Sequence, residues 1–129
     1  MMTPETTATG GPEAIWRHAL SQGRILLQRA RASGAVIFPP RLAEPGRGDT
    51  GLDWFEACGL GTVYSLTWVA QKPPTPPYNV ALVDLDEGAR LMSRVDGVTP
   101  DTLHIGQRVR ARIIDADGAP LLVFVPLET

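Results

Sequence analysis

The stretch Asn79–Val95, NVALVDLDEGARLMSRV, indicates a β-hairpin and decides the class of fold. Two runs rich in aliphatic residues, NVALVDL and ARLMSRV, stand on either side of Asp86-Glu87-Gly88. Aspartate and glycine are favoured in tight turns, because they tolerate the backbone angles that a chain reversal needs. The stretch therefore predicts two strands joined by a short turn.

The residues on both sides of this hairpin continue the strand pattern. Upstream, GTVYSLTWVA has the β-branched and aromatic enrichment of one long strand, and the proline-rich segment QKPPTPPY connects it to the hairpin. Downstream, QRVRARIID and PLLVFVPL are joined by Ala116-Asp117-Gly118, a second hairpin turn. Five strands with short turns and one longer crossing predict an OB-type Greek-key barrel in residues 57–129.

The N-terminal part of the chain has a different pattern. Residues 1–11 are small and polar, and we expect them to form a disordered tail. The segment Gly11–Gly23, GPEAIWRHALSQG, predicts a helix with Ile15 and Ala19 on its apolar side. Such a helix either packs on its own domain or docks on a partner, and the sequence leaves both roles open.

Short strands are predicted between this helix and the barrel. RILLQRA, GAVIF and LDWFEA have the composition of strands, whereas PPRLAEPGRGDTG is rich in proline and glycine and predicts a loop. The helix and these strands make residues 12–56 a small subdomain in front of the barrel.

Bulk composition excludes several classes of protein. The chain has 129 residues, of which 43% are hydrophobic and 20% charged, as expected for one soluble domain with a small appendage. A formal net charge of −2 is not the basic balance of a dedicated nucleic-acid binder. A single cysteine excludes an intramolecular disulfide and a cysteine-only metal site. No apolar run reaches membrane-spanning length and no leader pattern is present, so we expect a cytoplasmic protein without a membrane partner.

Six stretches, in order along the chain, carry a family resemblance. They are ALSQGRILLQRA, VIFPPR, GLGTVYSLT, PPYNVALVDLDEGARLMSRV, LHIGQRV and FVP. Together they resemble the OB-fold, acyl-CoA-associated proteins, a domain of unknown function with a leading helix, a rubredoxin-like zinc ribbon and an OB barrel. The resemblance covers Ala14 to Pro126. It implies a mainly β fold: a five-stranded OB-fold Greek-key barrel preceded by an N-terminal helix and a zinc-ribbon-like subdomain.

The same resemblance reveals a departure from the family at the metal site. The positions of the family's four zinc-ligating cysteines carry other residues here, namely Ala30, Ser33, Glu44 and Arg47. Only Glu44 offers a ligand atom of the right kind, and one carboxylate does not hold zinc. We therefore expect a degenerate, metal-free ribbon and no cofactor, with Glu44 and Arg47 forming at most a surface ion pair.

No catalytic set is evident in the sequence. His18 and His104 are the only histidines, and neither has a nucleophile or a metal-ligand companion nearby in sequence. Cys58 has no basic neighbour in sequence, so we expect a buried, unreactive thiol. The segment DADG resembles the start of a calcium loop but lacks the closing glutamate, and a hairpin turn explains it. We expect no enzyme activity.

Two features are candidates for ligand binding, and each has a structural alternative. The segment KPPTPPY lies where OB domains often place a ligand-contacting loop, but it also fits a rigid connector. Three arginines alternate with apolar residues in RVRARI and therefore share one face of a strand, which suits either phosphate binding or simple solvation. The candidate ligand-binding residues are Arg41, Lys72, Tyr78, Arg108, Arg110 and Arg112.

The resemblance implies an accessory function. Members of the family associate with thiolase-like enzymes or hydratases and support the partner's acyl-CoA site without supplying catalytic groups. We therefore expect a non-catalytic subunit in lipid or acyl-CoA metabolism with such a partner, acyl-CoA at the shared site, and a homodimer in isolation. The alternative is a nucleic-acid-binding OB module, which the acidic balance and the few aromatic residues disfavour. A scaffold that retains only protein–protein contacts is a third hypothesis.

The helix and the ribbon are the expected site of protein–protein contact. A subdomain that has lost its metal has little core of its own, so part of its apolar surface should remain exposed. The candidate partner-contact residues are Trp16, Phe38, Trp54 and Phe55.

Overall fold

The structure is a computed structural model that describes residues 11–127. The tail expected at residues 1–11 lies outside the described residues, except for Gly11. Within the described range, no helix has the length and apolar character needed to cross a membrane.

A helix and a three-stranded sheet form the N-terminal part. Helix α1 spans Pro12–Ser21 and has proline in its first turn, where an amide hydrogen is not needed. Strands β1 (Leu26–Ala30), β2 (Val36–Ile37) and β3 (Leu52–Glu56) are antiparallel and lie in the order β2-β1-β3. The helix and the three short strands predicted from the sequence are confirmed.

Five further strands form a curled sheet. They are β4 (Leu60–Val69), β5 (Tyr78–Leu85), β6 (Arg90–Ser93), β7 (Arg108–Ala116) and β8 (Ala119–Pro126). Their order is β6-β5-β4-β7-β8, and all neighbours are antiparallel. A parallel bridge between Val95 and Phe124 brings the chain after β6 to β8. This arrangement is an OB-fold barrel, and the predicted fold class is confirmed.

Strand β4 is the central strand of the five-stranded sheet. Its first residues pair with β7 and its whole length pairs with β5, with a β-bulge between Val63 and Ser65. A Cβ atom at Gly61 would lie 2.8 Å from the Asp84 carbonyl oxygen and 2.8 Å from Val83 Cγ1. Glycine is therefore required where the strands approach so closely, and the bulge adds the twist that curls the sheet.

One continuous core joins the barrel to the N-terminal part. Val83, Val109 and Phe124 of the barrel are fully buried, in one cluster with Leu20 of the helix and Leu27 of β1. The predicted domain boundary between residues 56 and 57 stays a prediction, although the buried core extends across it.

Helix α1 packs on its own chain. Ile15 and Ala19 are buried against Leu26 of β1, and Trp54 of β3 packs beside them. Of the two roles that the sequence left open for the helix, this contact corresponds to packing on its own domain rather than docking on a partner. It gives the ribbon apolar support that involves no metal.

Candidate functional site

A cleft surrounds Tyr78 at the start of β5. Tyr78 is 46% exposed and lines two grooves of about 280 and 260 Å³, which also share Asn79 and Arg94. The larger groove is mainly apolar, and β5, β6 and β8 contribute its walls through Tyr78, Val80, Ser93, Leu121 and Leu122. Tyr78, a candidate ligand-binding residue from the sequence, thus has an accessible side chain, and its role in binding stays a prediction.

Buried hydrogen bonds hold the walls of the cleft in place. Asn79 is 6% exposed; its Nδ2 donates to the Val95 carbonyl oxygen at 2.8 Å, and its Oδ1 accepts the Val95 amide at 2.8 Å. Ser93 Oγ donates to the Leu122 carbonyl oxygen at 2.7 Å. These bonds satisfy backbone groups where β6 ends and approaches β8.

The smaller groove is lined by aromatic side chains and by an ion pair. Trp68 of β4 lines it together with Tyr78. Arg94 Nε donates to Asp96 Oδ1 at 2.7 Å, so these two charges compensate each other. Trp68 Nε1 is buried and has no hydrogen-bond partner within residues 11–127. The indole N–H of Trp68 is therefore an unsatisfied donor that is closed to solvent.

Arg108, a candidate ligand-binding residue, is already paired. Its guanidinium donates to both carboxylate oxygens of Asp86 at 2.7 and 2.8 Å, and to Thr62 Oγ1 at 3.0 Å. The hydrogen bond from Arg108 lowers the pKa of Asp86, and the same bond raises the pKa of Arg108. A phosphate at this guanidinium would therefore compete with Asp86 for its donors.

Tyr78 and Arg108 do not belong to one site. Along β4, Val69 pairs with Tyr78 and Thr62 pairs with Arg108. The seven residues of strand between these two pairing positions correspond to a separation on the order of 20 Å, at about 3.3 Å per residue.

The other candidate ligand-binding residues lie on further surfaces. Arg41 is in the ribbon loop beside a groove of about 240 Å³, and Lys72 is exposed in the proline-rich segment. Arg110 and Arg112 are exposed on β7, and within the described chain they form no ion pair. The six candidates thus do not form one site, although Arg108, Arg110 and Arg112 are exposed at alternate positions of β7, as the sequence pattern predicts.

The four candidate partner-contact aromatics are partly buried. The rings of Trp16 and Phe38 have centroids 5.4 Å apart and pack against the barrel core. Trp54 packs against the helix, and the Arg29 guanidinium carbon lies 4.4 Å from the centroid of the Phe55 ring. These aromatics help to join ribbon, helix and barrel, and their contact with a partner stays a prediction. Among residues 11–127, the exposed large apolar side chains are Leu42, Tyr64, Tyr78, Met92, Ile105 and Leu121.

The residues at the family's zinc-ligand positions do not fit the metal. Ser33 Oγ donates to Glu44 Oε2 at 2.6 Å, and Arg47 Nε lies 3.3 Å from Glu44 Oε1. Ala30 offers no ligand atom and Arg47 is a cation, so only a carboxylate and a hydroxyl remain. Residues 11–127 contain no group of three or more His, Cys, Asp or Glu side chains that could hold a metal ion. A tetrahedral zinc site needs four donors, mostly thiolate or imidazole.

Two expectations about burial are wrong. Glu44 pairs with Arg47 as expected, but its side chain is only 7% exposed and accepts a hydrogen bond from Ser33 across the ribbon. Cys58 is exposed rather than buried. Its amide donates to Glu87 Oε2 at 2.7 Å, and this bond ties the backbone to the β5–β6 turn while the side chain stays in solvent.

The histidines lie apart from the cleft around Tyr78. His18 is in the last turn of α1, and His104 is exposed in the crossing between β6 and β7. The described chain shows no hydrogen bond from either imidazole ring.

Sequence reasoning missed three buried polar residues, which are Gln28, Glu44 and Asn79. Gln28 Nε2 donates to the Arg41 carbonyl oxygen at 2.8 Å, and Gln28 Oε1 accepts the Arg41 amide at 2.7 Å. The burial of Asn79 could have been predicted from the sequence. Residues two positions apart in a strand face the same side, and Asn79 lies two positions before the inward-facing Ala81.

Known proteins match the chain over most of its length. A "DUF35 domain-containing scaffold protein" of Methanocaldococcus jannaschii is 32% identical over 110 residues, which are 80% of this chain and 78% of that protein. The chain belongs to the DUF35 family. The family model described as "ChsH2, C-terminal OB-fold domain" matches residues 54–113, and these DUF35 matches confirm the resemblance seen in the sequence.

Two further similarities are to an aldolase structure and to an enoyl-CoA hydratase subunit. The solved structure "Ltp2-ChsH2(DUF35) aldolase" is 39% identical, with a TM-score of 0.78, and the match covers 92% of this chain and 97% of that chain. A "Probable enoyl-CoA hydratase alpha subunit" of Thermomonospora curvata is 41% identical over 108 residues. The match covers 81% of this chain and 34% of the hydratase subunit, so this chain spans about a third of that subunit's length.

Proposed function

We propose that this protein is a non-catalytic accessory subunit that binds a thiolase-like, hydratase or aldolase partner acting on acyl-CoA. The observation that carries the proposal is the match to 97% of the DUF35 chain of the Ltp2-ChsH2 aldolase at 39% identity. The OB fold alone hosts many functions and therefore does not identify this one. The similarity to this relative and the chemistry of the side chains support the proposed function.

The side-chain chemistry favours a supporting role. Nucleophilic catalysis usually needs a nucleophile and a base within about 2.6–3.2 Å of each other. In the part of the chain that the structure describes, neither His18 nor His104 makes a hydrogen bond through its ring, and Cys58 bonds only through its amide. The partner therefore supplies the catalytic groups in this proposal.

The cleft around Tyr78 would form one wall of a shared acyl-CoA site. Its grooves of about 280 and 260 Å³ are smaller than the roughly 300–1,000 Å³ of ordinary small-molecule pockets. Neither groove encloses a coenzyme alone, so the partner must complete the enclosure. Tyr78 offers a flat, exposed ring for an apolar arm of the ligand.

Contact with the partner in the N-terminal half would centre on Leu42 rather than on Trp16 and Phe38. Leu42 is 77% exposed and lines the rim of the groove of about 240 Å³ that also includes Trp54. Burial of such a side chain on association removes apolar surface from water and therefore favours binding. Trp16 and Phe38 already pack against the core.

Affinity purification of the tagged protein from its native host tests the proposal. The expected result is that an enzyme acting on acyl-CoA co-purifies with it. Leu42→Asp should abolish the association, whereas the matched control Met92→Asp, at a side chain that is 72% exposed on the barrel, should not. Tyr78→Ala should keep the association and raise the partner's KM for acyl-CoA. Retention of the enzyme by Leu42→Asp would exclude this contact, and the absence of any such enzyme would exclude the function.

A further inference from the structure

Two turns of the ribbon have the same backbone geometry. In the first, the Gly34 amide donates to the Ala30 carbonyl oxygen at 2.7 Å; in the second, the Gly48 amide donates to the Glu44 carbonyl oxygen at 2.9 Å. The φ angles of the two glycines are +79° and +78°, in the left-handed region that glycine adopts readily. The two turns are joined directly through Ser33 and Glu44.

Glu44 links the turns as a buried carboxylate. Its Oε2 accepts the Ser33 hydroxyl at 2.6 Å, a short distance typical of a charged acceptor. Its Oε1 lies 3.3 Å from Arg47 Nε but is not aligned for a hydrogen bond, so Arg47 acts there as a neighbouring positive charge. Arg47 Nε donates instead to Asp49 Oδ2 at 3.2 Å, and the Glu44 amide donates to the Asp49 carbonyl oxygen at 2.7 Å.

We propose that Ser33, Glu44 and Arg47 form a metal-free clamp that holds the two glycine turns together. The clamp occupies three of the positions at which the resemblance implies zinc ligands, and these side chains do not fit zinc. A hydroxyl–carboxylate hydrogen bond provides the cross-link, and Arg47 balances the charge of Glu44. This inference does not depend on the proposed function.

The clamp has a characteristic energetic signature. A buried carboxylate that loses its donor remains desolvated, so removal of one partner costs more than removal of both. Ser33→Ala should therefore destabilise the protein more than Ser33→Ala combined with Glu44→Met, which replaces the carboxylate with an apolar side chain of similar size. A solvent-exposed ion pair does not produce this pattern, because water replaces the lost partner.

Thermal unfolding of Ser33→Ala, Glu44→Met, the double variant and a control tests the clamp. The control is Asp53→Asn, which removes the ion pair with Arg31 in the same sheet region; these side chains are 56% and 63% exposed. We expect Ser33→Ala to lower Tm by roughly 5 °C and the double variant to lower it less. Asp53→Asn should lower Tm by less than about 2 °C.

Hydrogen exchange and metal analysis complete the test. Amides of residues 44–49 should exchange at least about tenfold faster in Ser33→Ala and at an unchanged rate in Asp53→Asn. The unmodified protein should lack stoichiometric zinc and keep its Tm in a chelator. The proposal is overturned by stoichiometric zinc whose removal lowers Tm. It is equally overturned if Ser33→Ala resembles Asp53→Asn in both Tm and exchange, or if the double variant is less stable than Ser33→Ala.

Discussion

The amide of Asn79 holds the barrel together beside the Tyr78 cleft, and its removal should destabilise the fold strongly. Asn79→Ala deletes the two 2.8 Å hydrogen bonds to the Val95 backbone. Val95 is 2% exposed, so its N–H and C=O groups would lose their partner out of reach of bulk water. Val95 also forms the parallel bridge to Phe124 of β8.

The magnitude follows from the two backbone groups of Val95. Each buried polar group left unpaired costs about 1–3 kcal/mol. Two groups, partly relieved by local relaxation, give a loss of about 2–4 kcal/mol in the free energy of unfolding. This is a large share of the roughly 5–15 kcal/mol that stabilises a domain. With a urea m-value of about 2 kcal/mol/M, the midpoint of unfolding should fall by about 1–2 M.

Urea unfolding followed by tryptophan fluorescence measures this loss. The matched control is Gln71→Ala, because the Gln71 amide also donates to a backbone carbonyl, that of Pro76 at 2.8 Å, but in an exposed loop. Water can replace that bond, so the control should lose less than about 1 kcal/mol. Equal midpoints for Asn79→Ala and Gln71→Ala would refute the reasoning from burial.

Three other predictions concern the barrel. Gly61→Ala places a Cβ atom 2.8 Å from the Asp84 carbonyl oxygen, so the free energy of unfolding should fall by about 1–3 kcal/mol in urea titrations; an unchanged midpoint would show that β4 moves freely. Arg108 lowers the pKa of Asp86, so their pairing stabilises the fold above the ordinary aspartate pKa and is lost as pH falls through the lowered folded pKa. The Tm difference between the unmodified protein and Asp86→Asn should therefore be present at neutral pH and vanish in strong acid, and a difference that persists in acid would contradict this cause. Single-stranded oligonucleotides should bind weakly and only at low salt, because Arg110 and Arg112 are a local basic feature on an acidic chain; submicromolar binding at physiological salt would favour the nucleic-acid alternative.

The strands of the barrel could be predicted from the sequence because their signals are local. Each hairpin combines aliphatic runs with a turn that contains Asp and Gly, and in the β7–β8 turn Asp117 and Gly118 have φ angles of +53° and +85°. Turn chemistry of this kind depends on neighbouring residues only, so no knowledge of the tertiary fold is needed. The OB-type arrangement was predicted from the number of strands and the lengths of their connections, and the resemblance to a known family implied the same fold.

The candidate site was predicted less well because its geometry depends on contacts between distant residues. The pairing of Arg108 with Asp86 spans 22 positions, and no local pattern reveals it. The separation of Tyr78 from Arg108 follows from the register of β5 and β7 on β4. The burial of Glu44 depends on Ser33 across the ribbon, whereas its own neighbours in sequence resemble an exposed loop.

We propose that the chain supports an acyl-CoA enzyme and does no chemistry alone. The most direct measurement is acyl-CoA turnover by the co-purified enzyme alone, by this protein alone, and by the two together, with Tyr78→Ala in place of the unmodified chain as a further arm. We predict no turnover by this protein alone, an increase in the partner's kcat/KM when it is added, and a smaller increase with Tyr78→Ala. Turnover by this protein alone, or a partner whose kinetics are the same with and without it, would contradict the account.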